Sequence, residues 1–471
     1  ILHGYSEYKD KLFSKLRGMF AFVIYDKNTK ELVGARDHFG IKPFYYYKSK
    51  DEFMFGSEIK SFLEHPDFKK EVNTDALKMF LIFQYSVHEE TFFKNVFKLK
   101  PGHYKSGKLT IKEYFKVNYE KTDKPYDVYK EELKNVLEDS IKYHQITSDV
   151  EVGSYLSGGV DSSYVVSVAK PDKTFSVGFD LPGFDETMYA KDLSDMLNIK
   201  NFQKKITSDE FFDILPTIMY HTDEPHANLS TVPLYFLSGL ASEQVKVVLS
   251  GEGSDEMFAG YNEYYEPAIL KLYAKFPLGF RSLVGKVISP LPHFPGQNTL
   301  KLYAKPFYER YIGHGSYMPE EEANEMLKEE LRSNETIADV IKPYYDKVKN
   351  MDDVTKKMYI DMNFWLPQDI LLKADKMTMA NSIELRVPLL DSYLFNYARQ
   401  IPTKYLVKDK QTKYLFRDIA HDKIPEEWSK RRKLGFPVPF SRWAREEKYY
   451  KRIKEMFSKD YVGDFFDKNF I

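Results

Sequence analysis

The 471-residue chain contains no cysteine, which excludes disulfides, thiolate metal sites and a cysteine nucleophile within it. It has no surplus of either charge: 69 Lys and Arg face 70 Asp and Glu, a formal net charge of −1. That balance argues against a general nucleic-acid-binding field and against a membrane-surface protein, local basic patches aside. Long apolar runs are missing too, and none approaches the roughly 18 residues of a membrane span. The first residues lack a basic stretch followed by an apolar core. Together these absences predict a cytoplasmic protein.

What is present suffices for folded cores. Hydrophobic residues make up 43% of the chain and charged residues 30%, and about 150 residues per domain gives two or three domains. Residues 1–19 read as an amphipathic helix, with Leu2, Tyr5, Tyr8, Leu12 and Leu16 on one face. Strands are predicted at 20–25, 31–35, 53–56 and 108–115, and the aromatic run Phe44-Tyr-Tyr-Tyr47 reads as strand and core. From about Asp123 the pattern changes. A charged helix over 126–144 precedes strands at 150–156, 174–179 and 245–249 that alternate with helices near 162 and over 187–197. Alternation of this kind predicts an α/β fold: a mostly parallel sheet with helices on both faces. Beyond Tyr261 the chain reads as largely helical. Lys121-Thr-Asp-Lys-Pro125 reads as a linker and divides residues 1–120 from residues 121–471.

Two loops carry the chemistry. Ser157-Gly-Gly-Val-Asp-Ser-Ser163 lies between a predicted strand and a predicted helix. Gly158 and Gly159 let backbone amides approach an anion at the helix N-terminus. Ser157, Ser162 and Ser163 offer hydroxyl donors, and Asp161 can hold Mg²⁺ on phosphates. No lysine follows the glycines, so this is not a Walker loop for a transferable γ-phosphate. It resembles the PP-loop of ATP pyrophosphatases, which cleave between the α- and β-phosphates. The second loop follows Val247-Val-Leu249 and runs Ser250-Gly-Glu-Gly-Ser-Asp-Glu256. Ser250 and Gly251 can meet a nucleotide through main-chain groups. Asp255 is placed to share magnesium with Asp161, and Glu252 can handle a reacting proton or bind substrate. Ligands of open α/β sheets bind outside the carboxyl ends of the strands, where both loops fall. The structural alternative is a serine- and acid-capped pair of helix N-termini. His221 and His226 flank Asp223-Glu-Pro225 without zinc-site spacing and read as loop or packing residues.

Four segments together, SGGVDSS, LSGEGSDEMFAGY (Leu249–Tyr261), KADKMTMANSIELRVPLLD (Lys373–Asp391) and KLGFPVP (Lys433–Pro439), resemble glutamine-hydrolysing asparagine synthetase. Gly18-Met-Phe-Ala-Phe22 and Ala35-Arg-Asp-His-Phe-Gly-Ile-Lys-Pro43 resemble the later part of that family's glutaminase domain. The resemblance implies a PP-loop ATP pyrophosphatase-type sheet in residues 121–471. Before it, in residues 1–120, it implies the truncated remainder of an αββα N-terminal-nucleophile glutaminase. It implies formation of β-aspartyl-AMP from ATP and aspartate with release of pyrophosphate, then displacement of AMP by ammonia, which glutamine supplies in the complete protein. Matching positions put Leu156 and Val177 at the nucleoside and Ser250 and Gly251 beside AMP. Asp161 and Asp255 match the magnesium ligands, Glu252 the glutamate needed for the acyl-adenylate, and Lys433 a lysine near the α-phosphate. Lys373, Asp375, Lys376, Glu384 and Arg386 are expected to shape the site's floor and its packing.

One departure stands out. The family's glutaminase attacks with an N-terminal cysteine, whereas this sequence opens on Ile1. Ile1 therefore reads as an internal position exposed by an incomplete sequence, and the polypeptide as given is expected to use free ammonia. Two other readings stay open: a related acyl-adenylate-forming amidotransferase acting on a surface sugar, a peptide or a β-lactam precursor, and a silent scaffold. Expected partners are small molecules (aspartate, ATP, glutamine or ammonia), with Mg²⁺, without nucleic acid or membrane, in an oligomeric state compatible with a homodimer.

Overall fold

The computed structural model describes residues 1–470 except 51, 107–109, 316–317, 432–434 and 436. Its first part is antiparallel. Strands β1 (Ala21–Asp26) and β2 (Glu31–Arg36) pair with Phe22 opposite Ala35. Asp26 accepts from the amides of Asn28 and Thr29 and so fixes the turn between them. β3 (Tyr45–Lys48) sits between β4 (Phe53–Gly56) and β5 (Val96–Lys98) in a three-stranded sheet. β6 (His103–Ser106) joins β2 to β7 (Thr110–Glu113) and completes a four-stranded sheet ordered β1-β2-β6-β7. The aromatic run at β3 is core, as expected: Tyr45 and Tyr47 are buried against Ile59, Phe62, Phe68 and Val96.

The amphipathic helix expected over 1–19 is shorter and changes type. An α-helix spans Leu2–Tyr8 and a 3₁₀ segment continues over Lys9–Lys15. Leu2 and Tyr8 face solvent, while the adjacent Leu12 and Phe13 enter the core. Phe13 lies off the expected stripe, and its packing on Tyr104, with ring centroids 4.6 Å apart, outweighs the helical period.

The second part is a five-stranded sheet ordered β10-β9-β8-β11-β12, parallel throughout. Its strands are β8 (Val152–Tyr155), β9 (Lys173–Phe179), β10 (Lys200–Ile206), β11 (Val247–Leu249) and β12 (Glu384–Arg386). Every residue of β8 and β11 is buried, as a parallel strand covered on both faces must be. Two strands escape the hydrophobic pattern. β10 is an edge strand whose exposed lysines, Lys200 and Lys205, mask its alternation. β12 is three residues long and lies inside the helical C-terminal half. Its Arg386 Nε pairs with Glu384 Oε1 at 2.7 Å, as the sequence suggested.

The chain runs β8, β9, β10 to one side and then returns to place β11 and β12 on the other side of β8. The strand order therefore reverses at the β8/β11 boundary, where such sheets open a crevice beyond their carboxyl ends. The loops after β8 and β11 are the two glycine-acid loops.

The expected linker is pinned rather than loose, since Thr122 N donates to Gln400 O at 2.9 Å. Charged contacts join the two parts. Lys376 Nζ lies 2.6 Å from Asp223 Oδ2 with both side chains buried, and Asp223 also accepts from the amides of Ile59 and Lys60. Lys42 Nζ reaches Asp375 Oδ1 at 2.9 Å. The Lys373–Asp391 stretch thus packs the interior, as read, and also binds the antiparallel part to the parallel sheet.

Candidate active site

The first loop leaves β8 through Leu156, which is buried and donates its amide to Phe175 O at 2.9 Å. Ser157 N donates to Ser162 Oγ at 3.2 Å, and Gly159 N to Ser157 Oγ at 3.3 Å. These bonds fold the serines back over the N-terminus of the helix Val160–Ala169. Gly158 has φ +75°, a left-handed conformation that favours glycine. In the register Tyr155 opposes Phe175, so the buried Val177 lies beyond the last residue of β8, level with the loop. That is where a nucleoside contact was expected.

The second loop leaves β11 with Ser250 N donating to Arg386 O of β12 at 3.0 Å. Glu252 N then donates to Ser250 Oγ at 3.1 Å. Gly251 is pressed onto the first loop: a Cβ there would lie 2.9 Å from Asp161 Cβ and 2.9 Å from Ser162 N. No larger residue fits without parting the loops.

Asp161 and Asp255 come together as the sequence reading required, and a lysine joins them. Asp161 Oδ1 accepts from Ser254 Oγ at 2.8 Å and from Lys413 Nζ at 2.6 Å. The same Nζ is 2.7 Å from Asp255 Oδ1, and the Lys413 side chain is 1% exposed. One cation thus lies against both carboxylates, which converge on a single point beyond the ends of β8 and β11. Lys413 escaped the sequence reading, because Asp409-Lys-Gln-Thr-Lys413 looks like a solvated turn. Arg431 also reaches the first loop. Its Nη1 donates to Gly158 O at 3.1 Å, its Nη2 pairs with Glu186, and its guanidinium lies 3.7 Å from the Tyr189 ring centroid. It holds the first loop's backbone from outside. Lys433, expected near the α-phosphate, lies outside the described residues.

Behind the second loop is a buried acid network. Burial, and then the neighbouring Asp255, push the Glu256 carboxyl up to about 8 although Tyr261 Oη donates to it at 2.6 Å. Asp361 is likewise pushed up to about 6 by burial, while accepting from Tyr264 at 2.6 Å, from Tyr311, and from the His314 amide at 3.1 Å. Trp365 Nε1 donates to Tyr261 Oη at 2.9 Å, and the Tyr261 ring stacks on His314. His226 is a packing residue, as read, with Nε2 3.0 Å from Asp369 Oδ1. Burial opposes ionisation of Asp369, yet Lys373 and His226 hold it down at about 2. Among the described residues no group of three or more His, Asp or Glu is arranged to hold a metal by itself.

The family model described as Asparagine synthase matches residues 132–471, and one described as Glutamine amidotransferase domain matches residues 1–115. The chain belongs to the asparagine synthase family. It is 42% identical over 456 residues to asparagine synthetase [glutamine-hydrolyzing] 1 of Bacillus subtilis, covering 95% of this chain and 72% of that protein. A putative asparagine synthetase [glutamine-hydrolyzing] of Mycobacterium bovis is 36% identical over 461 residues, 94% of this chain and 70% of its own length. Among solved structures, the NH3-dependent NAD synthetase of Campylobacter jejuni shares 15% identity over 39% of this chain and 94% of that one, with a TM-score of 0.21. That likeness is too slight to add to the fold read from the strands. For a synthase of this family, the paired loops at the β8/β11 crevice are the candidate active site. No helix among the described residues is long and apolar enough to cross a membrane.

Proposed function

We infer that the chain is an ATP-dependent asparagine synthase that amidates the side-chain carboxylate of aspartate through β-aspartyl-AMP, with glutamine as the nitrogen donor of the complete enzyme. A carboxylate oxygen of aspartate attacks the α-phosphorus of ATP and pyrophosphate leaves. Ammonia then attacks the acyl carbon, its surplus proton is lost, and AMP departs. The relatives that carry the asparagine synthetase name support aspartate as the acid, over a sugar, peptide or β-lactam precursor, and support an active enzyme over a silent scaffold.

The observation that carries the reading is the convergence of Asp161 and Asp255 on one cation position at the strand-order reversal. Two hard oxygens beside glycine-rich amides fit Mg²⁺, which Asp161 and Asp255 would hold. When bound, magnesium would neutralise the charge growing on the leaving pyrophosphate. Lys413 holds the acids together before the nucleotide arrives and supplies a second positive charge to the polyphosphate. The amides of Ser157, Gly158 and Gly159, with Ser162 Oγ, cradle the phosphates at the helix N-terminus. Leu156 and Val177 wall the nucleoside, and the Ser250–Gly251 backbone faces AMP. Glu252 stands on the same loop as Asp255 and acts in forming the acyl-adenylate. Lys433 completes the charge at the α-phosphate, where a fixed cation favours the transition state over the ground state. Residues 1–120 and 121–471 are read as the glutaminase-type and synthetase domains, and a cytoplasmic location goes with these substrates.

The test is product analysis after incubation with ATP, Mg²⁺, ammonium and a panel of carboxylic acids. Asparagine, AMP and pyrophosphate in equal amounts are expected from aspartate alone. ADP and phosphate as stoichiometric products would overturn the reading.

A further inference from the structure

The near-neutral total charge conceals a local patch. Between Glu266 and Glu309 the chain carries six Lys or Arg and no carboxylate side chain. The segment folds into the helices Ala268–Ala274, Leu278–Ile288 and Gln297–Tyr303. Side chains on their inner faces bond to neighbouring backbone. Gln297 Nε2 donates to Ile288 O at 2.7 Å, Ser282 Oγ to Ala304 O at 3.0 Å, and Arg281 Nε to Phe276 O at 3.0 Å. Gly285 lets the middle helix close against Ala304, where a Cβ would come within 2.6 Å.

The outer face is apolar. Phe280, Leu283 and Val287 follow one another at intervals of three and four, one stripe of the helix Leu278–Ile288, and the Phe276 ring lies 5.3 Å from that of Phe280. All four are exposed, Leu283 and Val287 to 60%, as are Ile269, Leu272 and Leu291 in the flanking chain. Lys275 and Lys286 adjoin Phe276 and Val287 in the chain, and with Lys271 they are exposed. Exposed apolar stripes of this size on a folded protein mark an interaction surface. A second copy fits poorly, because a two-fold contact would set each cationic patch against itself.

We propose that this three-helix face docks on an anionic lipid bilayer, with the Phe276–Val287 stripe entering the headgroup–acyl boundary and the flanking lysines meeting lipid phosphates. Phe and Leu on one face with Lys nearby, in a helix of only eleven residues, is the composition of an element that lies in a membrane interface without spanning it. The cations also give the attraction a long-range, salt-sensitive part.

Flotation of the full chain with phosphatidylcholine vesicles, with and without phosphatidylglycerol, tests this. The protein should float with the mixed vesicles and stay behind with pure phosphatidylcholine, and added salt should release it. Phe280→Glu with Leu283→Glu should abolish flotation while leaving circular dichroism and thermal melting unchanged, since both side chains face solvent. Each of Lys271→Gln, Lys275→Gln and Lys286→Gln should weaken binding about fivefold. No flotation by the unaltered chain would overturn the proposal, as would flotation indifferent to all these variants. Self-association that Phe280→Glu with Leu283→Glu disperses, without any flotation, would assign the face to a second copy instead.

Discussion

Lys413 Nζ stands 2.6 Å from Asp161 Oδ1 and 2.7 Å from Asp255 Oδ1, so a single buried ammonium bridges the two loops that end β8 and β11. Without it, two carboxylates would face each other at close range in a poorly solvated crevice. Removing one partner of a buried ionic cluster costs about 3–5 kcal/mol, because the remaining charges lose compensation. Lys413→Met should therefore melt well below the parent chain when no divalent ion is present. Mg²⁺ should recover more stability in the variant than in the parent, since it then meets two acids that have lost their shared lysine. Thermal melts with and without Mg²⁺ read this directly, and equal Mg²⁺ effects in both proteins would remove Asp161 and Asp255 as a cation site.

Gly251 sets the distance between the loops. A Cβ at this position would lie 2.9 Å from both Asp161 Cβ and Ser162 N, and backbone cannot swing aside as a side-chain tip can. Gly251→Ala should leave the sheet intact, part the loops and lower aspartate-dependent turnover by about a hundredfold, the usual effect of displacing reacting groups by about 1 Å. Steady-state kinetics on folded variant would show it. Turnover within a few-fold of the parent would mean that the loops need not touch.

The two loops were legible because their signals are local. A strand, paired glycines and an acid at the head of a helix are all written within a dozen residues, and the contacts of Ser157 with Ser162 and Gly159 stay inside that window. Lys413 was not legible. It reaches Asp161 across 252 positions of chain, from a charged turn that resembles solvated surface. Ser254 and Arg431 escaped for the same reason, since their partners are fixed by tertiary packing. In the fold, β11 announced itself through a buried apolar run, β9 through apolar residues at alternate positions and β8 through small and apolar residues ahead of a glycine loop. β10 did not, because an edge strand carries lysines that keep it from pairing further. The opening helix failed at Phe13, where aromatic packing on Tyr104 overrode a period of 3.6.

The buried acids give stability a pH dependence with a definite sign. Glu256 is pushed up to about 8 by burial, from an ordinary value of 4.5. The native state therefore holds a proton that the unfolded chain releases between those values. Its contribution is complete below about pH 4.5 and is lost as pH rises through 8. Glu256→Gln removes this titration, so the variant should gain on the parent between pH 5 and 8, by on the order of 3 kcal/mol. Asp369, held at about 2 by Lys373 and His226 against its burial, has the opposite sign. Its contribution is present above pH 3.8 and fades as pH falls toward 2. Urea denaturation of the parent and Glu256→Gln across pH 5–8 tests the first sign, and a constant difference between them would show that Glu256 does not titrate there.

Glu252 and Asp255 lie three residues apart on one loop and should fail in different ways. Asp255 shares the cation position with Asp161, and a neutral amide is a poor substitute for a hard anionic ligand of Mg²⁺. Asp255→Asn should therefore raise the Mg²⁺ concentration required for activity, and excess Mg²⁺ should restore part of it. Glu252, half-buried with its amide tied to Ser250 Oγ, belongs to the formation of the acyl-adenylate in the proposed assignment. Glu252→Gln keeps the size and hydrogen-bonding capacity and should still bind ATP with Mg²⁺. Its loss should fall on aspartate-dependent exchange of labelled pyrophosphate into ATP, which reports formation of β-aspartyl-AMP. If the loop were only a cap for the short helix Ser254–Phe258, each neutral variant would lose no more than about 1 kcal/mol of stability and keep its chemistry. Near-normal exchange in folded Glu252→Gln would take Glu252 out of the reaction. Normal exchange in both variants, at limiting Mg²⁺, would take out the loop.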